Sequence, residues 1–414
     1  MKVLSTKWKK MSLLSKLLIG MLVGAILGIV FGESILVVKP LGTIFLNLLK
    51  MIVLPMILCT LIAGISAVND LGVVGRSGAK IMVYYTATTL LAAVVALAIS
   101  AIIKPGVGFT LTEPFDGTIA ELPSIVDTIV NLFPSNIFAS LSAGTYAHAL
   151  VFSIFAGCAI LKLPEEKHQK IHDFFALGSD MIGAVLSIVL GFAPIGVGAL
   201  VASCIGQYGA SFFTFAAKFL ATNYLSVFAM LAVYLLLVVI FTGRNPLGVL
   251  KIALPSMLTA FGTQSSAAVL PLNLEAADKL GCKKEISTFT IPLGNQVNKD
   301  GTAILLACSF FFGAQAAGIQ VDIATVVQVI LISLLLTMGY GTTVAGGAVV
   351  QVTIMIETFG LPIETVVVVS GALALIDGIL TLGNNLGDLV GTVIVSDSEV
   401  KHDKKLAAKQ EASK

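Results

Sequence analysis

The stretch Asn295-Gln296-Val297-Asn298-Lys299-Asp300-Gly301-Thr302 decides how this chain folds. It places a lysine, an aspartate, two asparagines and a threonine in a segment, 286–318, that otherwise reads as membrane-buried. Ionisable groups at membrane depth cost roughly 2.5–3.5 kcal/mol each on insertion scales, so a chain keeps them only where they have partners or a task. A second polar cluster, in the segment 362–396, follows about 80 residues later. Two such clusters in two membrane segments fit an ion-coupled transport site.

Composition agrees. Of 414 residues, 57% are hydrophobic and only 12% charged, where a soluble domain carries about 25% charged residues. The chain is therefore expected to be an integral membrane protein. Its net charge of +2, with no basic run interleaved with aromatics, excludes a nucleic-acid partner. The five cysteines (Cys59, Cys158, Cys204, Cys282 and Cys308) form no CxxC pair and are expected to be buried small hydrophobes. His168 and His172 lie in a charged connector, where a solvated loop is expected rather than a metal site. No nucleophile–histidine pair and no paired-aspartate protease motif is present. No catalytic residue is assigned, and an intramembrane hydrolase using Asp300 and Asp377 is set aside.

A span needs about 20 apolar residues. Six candidates precede residue 245, at about 13–32, 41–68, 79–103, 136–162, 175–205 and 213–242. The first follows Lys2, Lys7, Lys9, Lys10 and Lys16 like a signal peptide, but further spans come at once, so it is read as a transmembrane helix. Arg76 and Lys80, then Lys162 to Lys170, then Arg244 and Lys251 follow the even-numbered spans, whereas the loop 105–135 carries acidic residues and no Lys or Arg. The positive-inside rule then puts both termini in the cytoplasm. The charged segment 398–414 is expected to be a solvated cytoplasmic tail.

The second half is interrupted in mid-membrane, at Gly262–Ala267 and again at Gly339–Gly347. Each break sits between two half-length apolar segments, which predicts a re-entrant helical hairpin. Each hairpin precedes a full span with polar residues, 286–318 and 362–396. Interrupted segments in corresponding positions of two repeats point to a transporter binding site, because non-helical backbone survives at that depth only inside protein or along a cavity. Kinked helices without a ligand are the bland alternative. In the last span Asp377, Thr381, Asn384 and Asp388 follow a spacing of four, three and four residues, which puts them on one helix face with Leu380. Two carboxylates, a hydroxyl and an amide suit a ligand ammonium and a hard cation such as sodium, which prefers oxygen ligands. A packing seam alone would favour Ser, Thr and Asn over two aspartates. Near Lys299, Gly301 is expected to permit local unwinding that frees carbonyls for an ion. A snorkelling lysine that reaches water is the alternative for Lys299.

These residues carry a resemblance. The motif Pro292-Leu293-Gly294-(x)3-Asn298-x-Asp300-Gly301-Thr302 is similar to the PLGxxxNMDGT of the dicarboxylate/amino acid:cation symporters, the glutamate transporter family. Ser265-Ser266, Gly360-Leu361-Pro362, Asn384-x-x-Gly387-Asp388 and the set Tyr84, Tyr85, Thr88 and Thr89 also fit. The resemblance implies an all-α fold of eight transmembrane helices and two re-entrant hairpins, with inverted repeats. It implies a homotrimer in the cell membrane, plasma or inner, in which a transport domain moves like an elevator across a scaffold. Spans 2, 4 and 5 of the region 1–250 would form the scaffold. Spans 3 and 6 would travel with the core, 251–397. Ser265, Ser266, Thr302, Val344, Asp377, Leu380, Thr381 and Asn384 would meet the substrate, with Asp377 on its α-ammonium. Gly294, Asn298, Asn384 and Asp388 would line one cation site, and Tyr85, Thr88, Thr89, Asn298 and Asp300 another. Carbonyls from Thr337 and Met338 to Gly341 would build a third beside Lys299.

Two departures from the family pattern matter. Acidic-substrate members carry an arginine three residues after the ammonium-binding aspartate, where it grips a carboxylate bidentately. That position is Leu380 here. A register shifted by four residues loses the arginine as well. A second substrate carboxylate would lie unpaired, which costs several kcal/mol, so the expected substrate is a neutral amino acid. Lys299 stands where the family has methionine, and its charge is expected to weaken or replace a sodium ion, with protons as the substitute coupling ion. The alternatives are a sodium-coupled acidic amino acid or dicarboxylate symporter, and a substrate-gated channel or non-coupled exchanger on the same scaffold. The expected partners are a small amino acid, sodium or a proton, and membrane lipid.

Overall fold

The computed structural model describes residues 11, 13–66, 71–109, 130, 133–144, 146–209, 211–339 and 347–412. Among them the chain is helical throughout, with no strand. Helix α1 spans Leu13–Phe31, and a 3-10 segment, Gly32–Val38, joins it to α2, Lys39–Ser66. Then come α3 (Leu71–Ile103), α4 (Ile137–Ser142), α5 (Tyr146–Ile160), α6 (Glu165–Tyr208) and α7 (Ser211–Thr242). The remainder is α8 (Pro246–Thr263), α9 (Ser266–Lys279), α10 (Lys284–Val297), α11 (Asp300–Ala316), α12 (Ile323–Gly339), α13 (Gly347–Thr358) and α14 (Glu364–Ala412).

Six segments are long and apolar enough to cross a membrane: Ser15–Phe45, Arg76–Ile103, Glu165–Val189, Phe213–Thr242, Pro246–Thr263 and Leu375–Asp403. Other expected spans are broken into shorter helices. The fourth is split into α4 and α5, with Asn136 capping α4 by accepting from the N–H groups of Phe138 and Ala139. The seventh is split into α10 and α11. The chain is thus an all-α polytopic membrane protein.

The first break predicted in the second half is a break here. Asn245 caps α8 by accepting from the N–H groups of Leu247 and Gly248, with Pro246 at the first helical position. The helix ends on Gln264, at φ 53°, in the left-handed region. Ser265 then starts α9, its side chain accepting from the Ala268 N–H. Two residues therefore turn the chain back, and α8 packs on α9. The tip of the second hairpin, 340–346, lies outside the described residues, and with it Val344 and the expected carbonyls of Tyr340 and Gly341.

Packing falls into two sets. Helices α1, α2 and α5 lie against α6 or one another. Gly20 and Gly24 on α1 face Pro194 and Gly198 on α6 so closely that an added Cβ would strike their backbone. A four-residue repeat of small residues allows this approach where no hydrophobic effect drives helices together. The second set surrounds α14, which packs on α3, α7, α8, α10 and α11. Its best apolar window is 89% buried, against 17% for the first segment.

Three expectations need correction. The segment from Ser398 onward does not start as a solvated tail, because α14 continues and Glu399 is 6% exposed. Its carboxylate pairs with Arg76 and, at 2.8 Å, with Lys80. Its neighbours are held too, Asp397 by Arg244 at 2.7 Å and Asp403 by Lys283. The histidines are not solvated: His168 is buried, its Nε2 lies 2.8 Å from the Ser66 carbonyl, and His172 Nδ1 lies 3.0 Å from the Ser66 hydroxyl. They tie down the C-terminal end of α2, whose last carbonyls need partners. Of the cysteines, Cys282 and Cys308 are buried as expected, Cys59 is half-buried, and Cys158 is exposed.

Candidate transport site

The site is built where α11 starts against the middle of α14. Asn298 ends α10 in an extended conformation, Lys299 is equally non-helical, and Asp300 begins α11. The unwound point lies just before Gly301, not on it. Gly301 is required for another reason: a Cβ there would run into the backbone of Leu380. Its N–H donates to Asn384 Oδ1 at 2.7 Å, so α14 caps the first turn of α11. Because a backbone N–H can only donate, the contacting atom is the amide oxygen, and the Asn384 NH2 remains for a ligand acceptor. That geometry suits the substrate role of Asn384 better than the cation role.

Asp300 gathers most of the cation set expected around Tyr85, Thr88, Thr89 and Asn298. Thr89 donates to its Oδ1 at 2.7 Å, and Thr88 lies 3.4 Å from both that oxygen and Asn298 Oδ1. Tyr234 on α7 donates to Oδ2 at 2.5 Å. Asn298 passes the network on, its NH2 donating to Asp388 Oδ1 at 3.0 Å. Gly294 fits beneath, since a Cβ there would strike the Tyr85 hydroxyl and the Asp388 carboxylate. Tyr85 itself turns aside, donating to the Thr290 carbonyl at 2.8 Å. Asp300, Asp388 and Asn298 are all at most 1% exposed, so four helices present an oxygen-rich, water-poor centre.

Lys299 is 7% exposed and is the one lysine or arginine buried among the described residues. The charges of Asp388 and Asp377 both act on it, yet no carboxylate among the described residues lies within ion-pair distance. The ammonium thus feels both aspartates without pairing with either. Burial rules against the snorkelling alternative.

The expected substrate residues are partly assembled. Asp377 is half-buried, Thr381 is 5% and Asn384 6% exposed, and Thr302 is half-buried. Leu380 is only 2% exposed, its backbone carbonyl against Gly301. Ser265 serves as the α9 cap. The Ser266 hydroxyl accepts from Asn385 Nδ2 at 3.2 Å, and its carbonyl accepts from Asn295 Nδ2 at 3.0 Å. Asn273 Nδ2 donates to the Asn385 carbonyl at 3.0 Å. The side-chain oxygens of Asn273, Asn295 and Asn385 are buried without a partner. Sequence reasoning singled out neither Tyr234 nor Asn273 and Asn385. Asn385 lies four residues after Thr381, a spacing that could have found it. Tyr234 stands in an unbroken apolar run, with no pattern to flag it.

The chain is 29% identical over 407 residues to the proton/sodium-glutamate symport protein of Bacillus caldotenax, covering 95% of this chain and 96% of that one. It is 30% identical to the protein of the same description from Geobacillus stearothermophilus, with the same coverage. It is 28% identical over 389 residues to the C4-dicarboxylate transport protein of Bacillus subtilis (strain 168), covering 92% of each. The sequence profile of the sodium:dicarboxylate symporter family matches residues 13–398. The chain belongs to that family and is a membrane symporter, not an enzyme.

Proposed function

We propose that this symporter carries neutral amino acids, and that Lys299 does part of the work of a sodium ion, leaving protons to supply coupling. One observation carries the reading: among the described residues the core holds a single buried basic side chain, Lys299, and two aspartates already answer it. Among the described residues no second buried cation stands ready to grip a side-chain carboxylate. Asp377, the most open member of the stripe, takes the substrate ammonium. The Asn384 NH2 and the Ser266 hydroxyl take its carboxylate, and Leu380 backs its side chain. Asp300 and Asp388 hold the coupling ion.

The two packing sets support an elevator, with α1, α2, α5 and α6 as scaffold and the bundle around α14 as the moving part in a homotrimer. Arg76, Lys80, Arg244, Lys283 and Lys401 gather at the C-terminal end of α14, which supports a cytoplasmic face there in a cell membrane. A second reading, an acidic substrate gripped by Lys299 itself, is favoured by the substrates for which the relatives are named, glutamate and C4-dicarboxylates. Thermal stabilisation of the purified protein by a panel of amino acids separates them, since a ligand stabilises the state that binds it. Neutral amino acids should raise the melting temperature. Stabilisation by aspartate or succinate alone would overturn the neutral reading in favour of the second.

A further inference from the structure

At the end of the core where α14 carries its charged residues, a cavity of about 490 Å³ opens between α3, α7 and α14. Phe241, Ile394 and the ring of Tyr84 form apolar walls, while Lys80, Ser398, Lys401 and His402 line the rest. Every carboxylate nearby is engaged: Glu399 by Arg76 and Lys80, Asp397 by Arg244, Asp403 by Lys283. Glu399 offsets only one of its two partners. Lys401 has no carboxylate in reach among the described residues and donates only to the Phe241 carbonyl at 3.2 Å. The cavity therefore keeps a positive excess.

Its neutral groups are oriented as donors. The Ser398 hydroxyl oxygen accepts from Lys80 at 2.7 Å, which leaves its O–H to donate. His402 Nε2 lies 2.5 Å from an Arg76 guanidinium nitrogen. A guanidinium only donates, so Nε2 accepts and the ring proton sits on Nδ1. Ammonium, hydroxyl and imidazole N–H donors beside an apolar wall match an oxyanion such as a phosphate attached to a carbon chain.

We propose that this cavity binds a phosphate group, carried by an anionic phospholipid headgroup or by a small soluble phosphate ester, with the adjoining carbon chain against Phe241 and Ile394. Basic pockets at a membrane face bind such headgroups by this chemistry. The inference stands apart from the transport site and does not depend on which substrate that site takes.

The test uses the full chain in neutral detergent, with phosphatidylglycerol, phosphatidylcholine, glycerol 3-phosphate and inorganic phosphate as probes, read by melting temperature. Lys401 is exposed at the surface, so Lys401→Gln should leave the fold intact. Phosphatidylglycerol should stabilise the wild type beyond phosphatidylcholine. Lys401→Gln should raise its half-saturating concentration about tenfold, and Lys401→Arg should restore it. Competition by glycerol 3-phosphate or inorganic phosphate would assign the site to the phosphate itself. Lack of competition would assign it to the lipid. Equal effects of the two lipids with no effect of the phosphates, or a response that Lys401→Gln leaves unchanged, would overturn the proposal.

Discussion

Lys299→Met removes the one basic side chain buried in the core among the described residues and keeps its apolar volume. Asp377 and Asp388 then lose their shared counter-charge. Removing one partner of a buried charge pair costs about 3–5 kcal/mol. Lys299 is not in direct contact with either aspartate, so the lower end applies. A sodium ion bound in its stead returns about 2.7 kcal/mol at 100 times its dissociation constant. At about 2 °C per kcal/mol, the variant should melt several degrees below the wild type in choline buffer and regain about 5 °C in saturating sodium. The wild type should respond little to sodium. The assay is a melting curve of purified protein across a sodium titration, with uptake into proteoliposomes in parallel. If variant and wild type respond to sodium alike, Lys299 is not standing in for an ion.

Three further outcomes follow from the same geometry. Gly301→Ala drives a Cβ into the Leu380 backbone and should cost about 1–3 kcal/mol, read as a lower melting temperature; wild-type melting would contradict the close approach. Tyr234→Phe strips a donor from Asp300 and should cost about 1.5–3 kcal/mol, against about 1 kcal/mol for Tyr85→Phe, whose hydroxyl donates to a neutral carbonyl; equal losses would sink the distinction. Cys282 sits in the turn between α9 and α10, and burial pushes its thiol from 9.0 up to about 11. The thiolate is the nucleophile, so at pH 8 alkylation should be about 100-fold slower than at an unperturbed thiol and should accelerate as pH rises towards 11; rapid labelling at pH 8 would refute the burial.

Much of this site was legible in the sequence because polar residues are conspicuous against an apolar background. Asp300 and Asn298 stood out for that reason, Thr88 and Thr89 came with the family resemblance, and the four do meet. The helical spacing from Asp377 to Asp388 gave the facing stripe. The first hairpin was readable from Gly262–Ala267, although the turn itself is made by Gln264 and Ser265. What spacing could not give is direction. Asn384 points its oxygen at a helix terminus, and Tyr85 donates away from the carboxylates. Gly301 was credited with unwinding when its task is close approach, a distinction only a neighbouring helix creates. The docking of Glu399 was hidden because its partners, Arg76 and Lys80, lie more than 300 residues away.

The central claim is that this symporter accumulates a neutral amino acid with its own ammonium in place of a coupling sodium. Uptake of a radiolabelled neutral amino acid, chosen by the stabilisation screen, into proteoliposomes under an imposed proton gradient tests it directly. With sodium absent on both sides, the account predicts accumulation above equilibrium that collapses with a protonophore. Accumulation that requires an inward sodium gradient and ignores the proton gradient would contradict it.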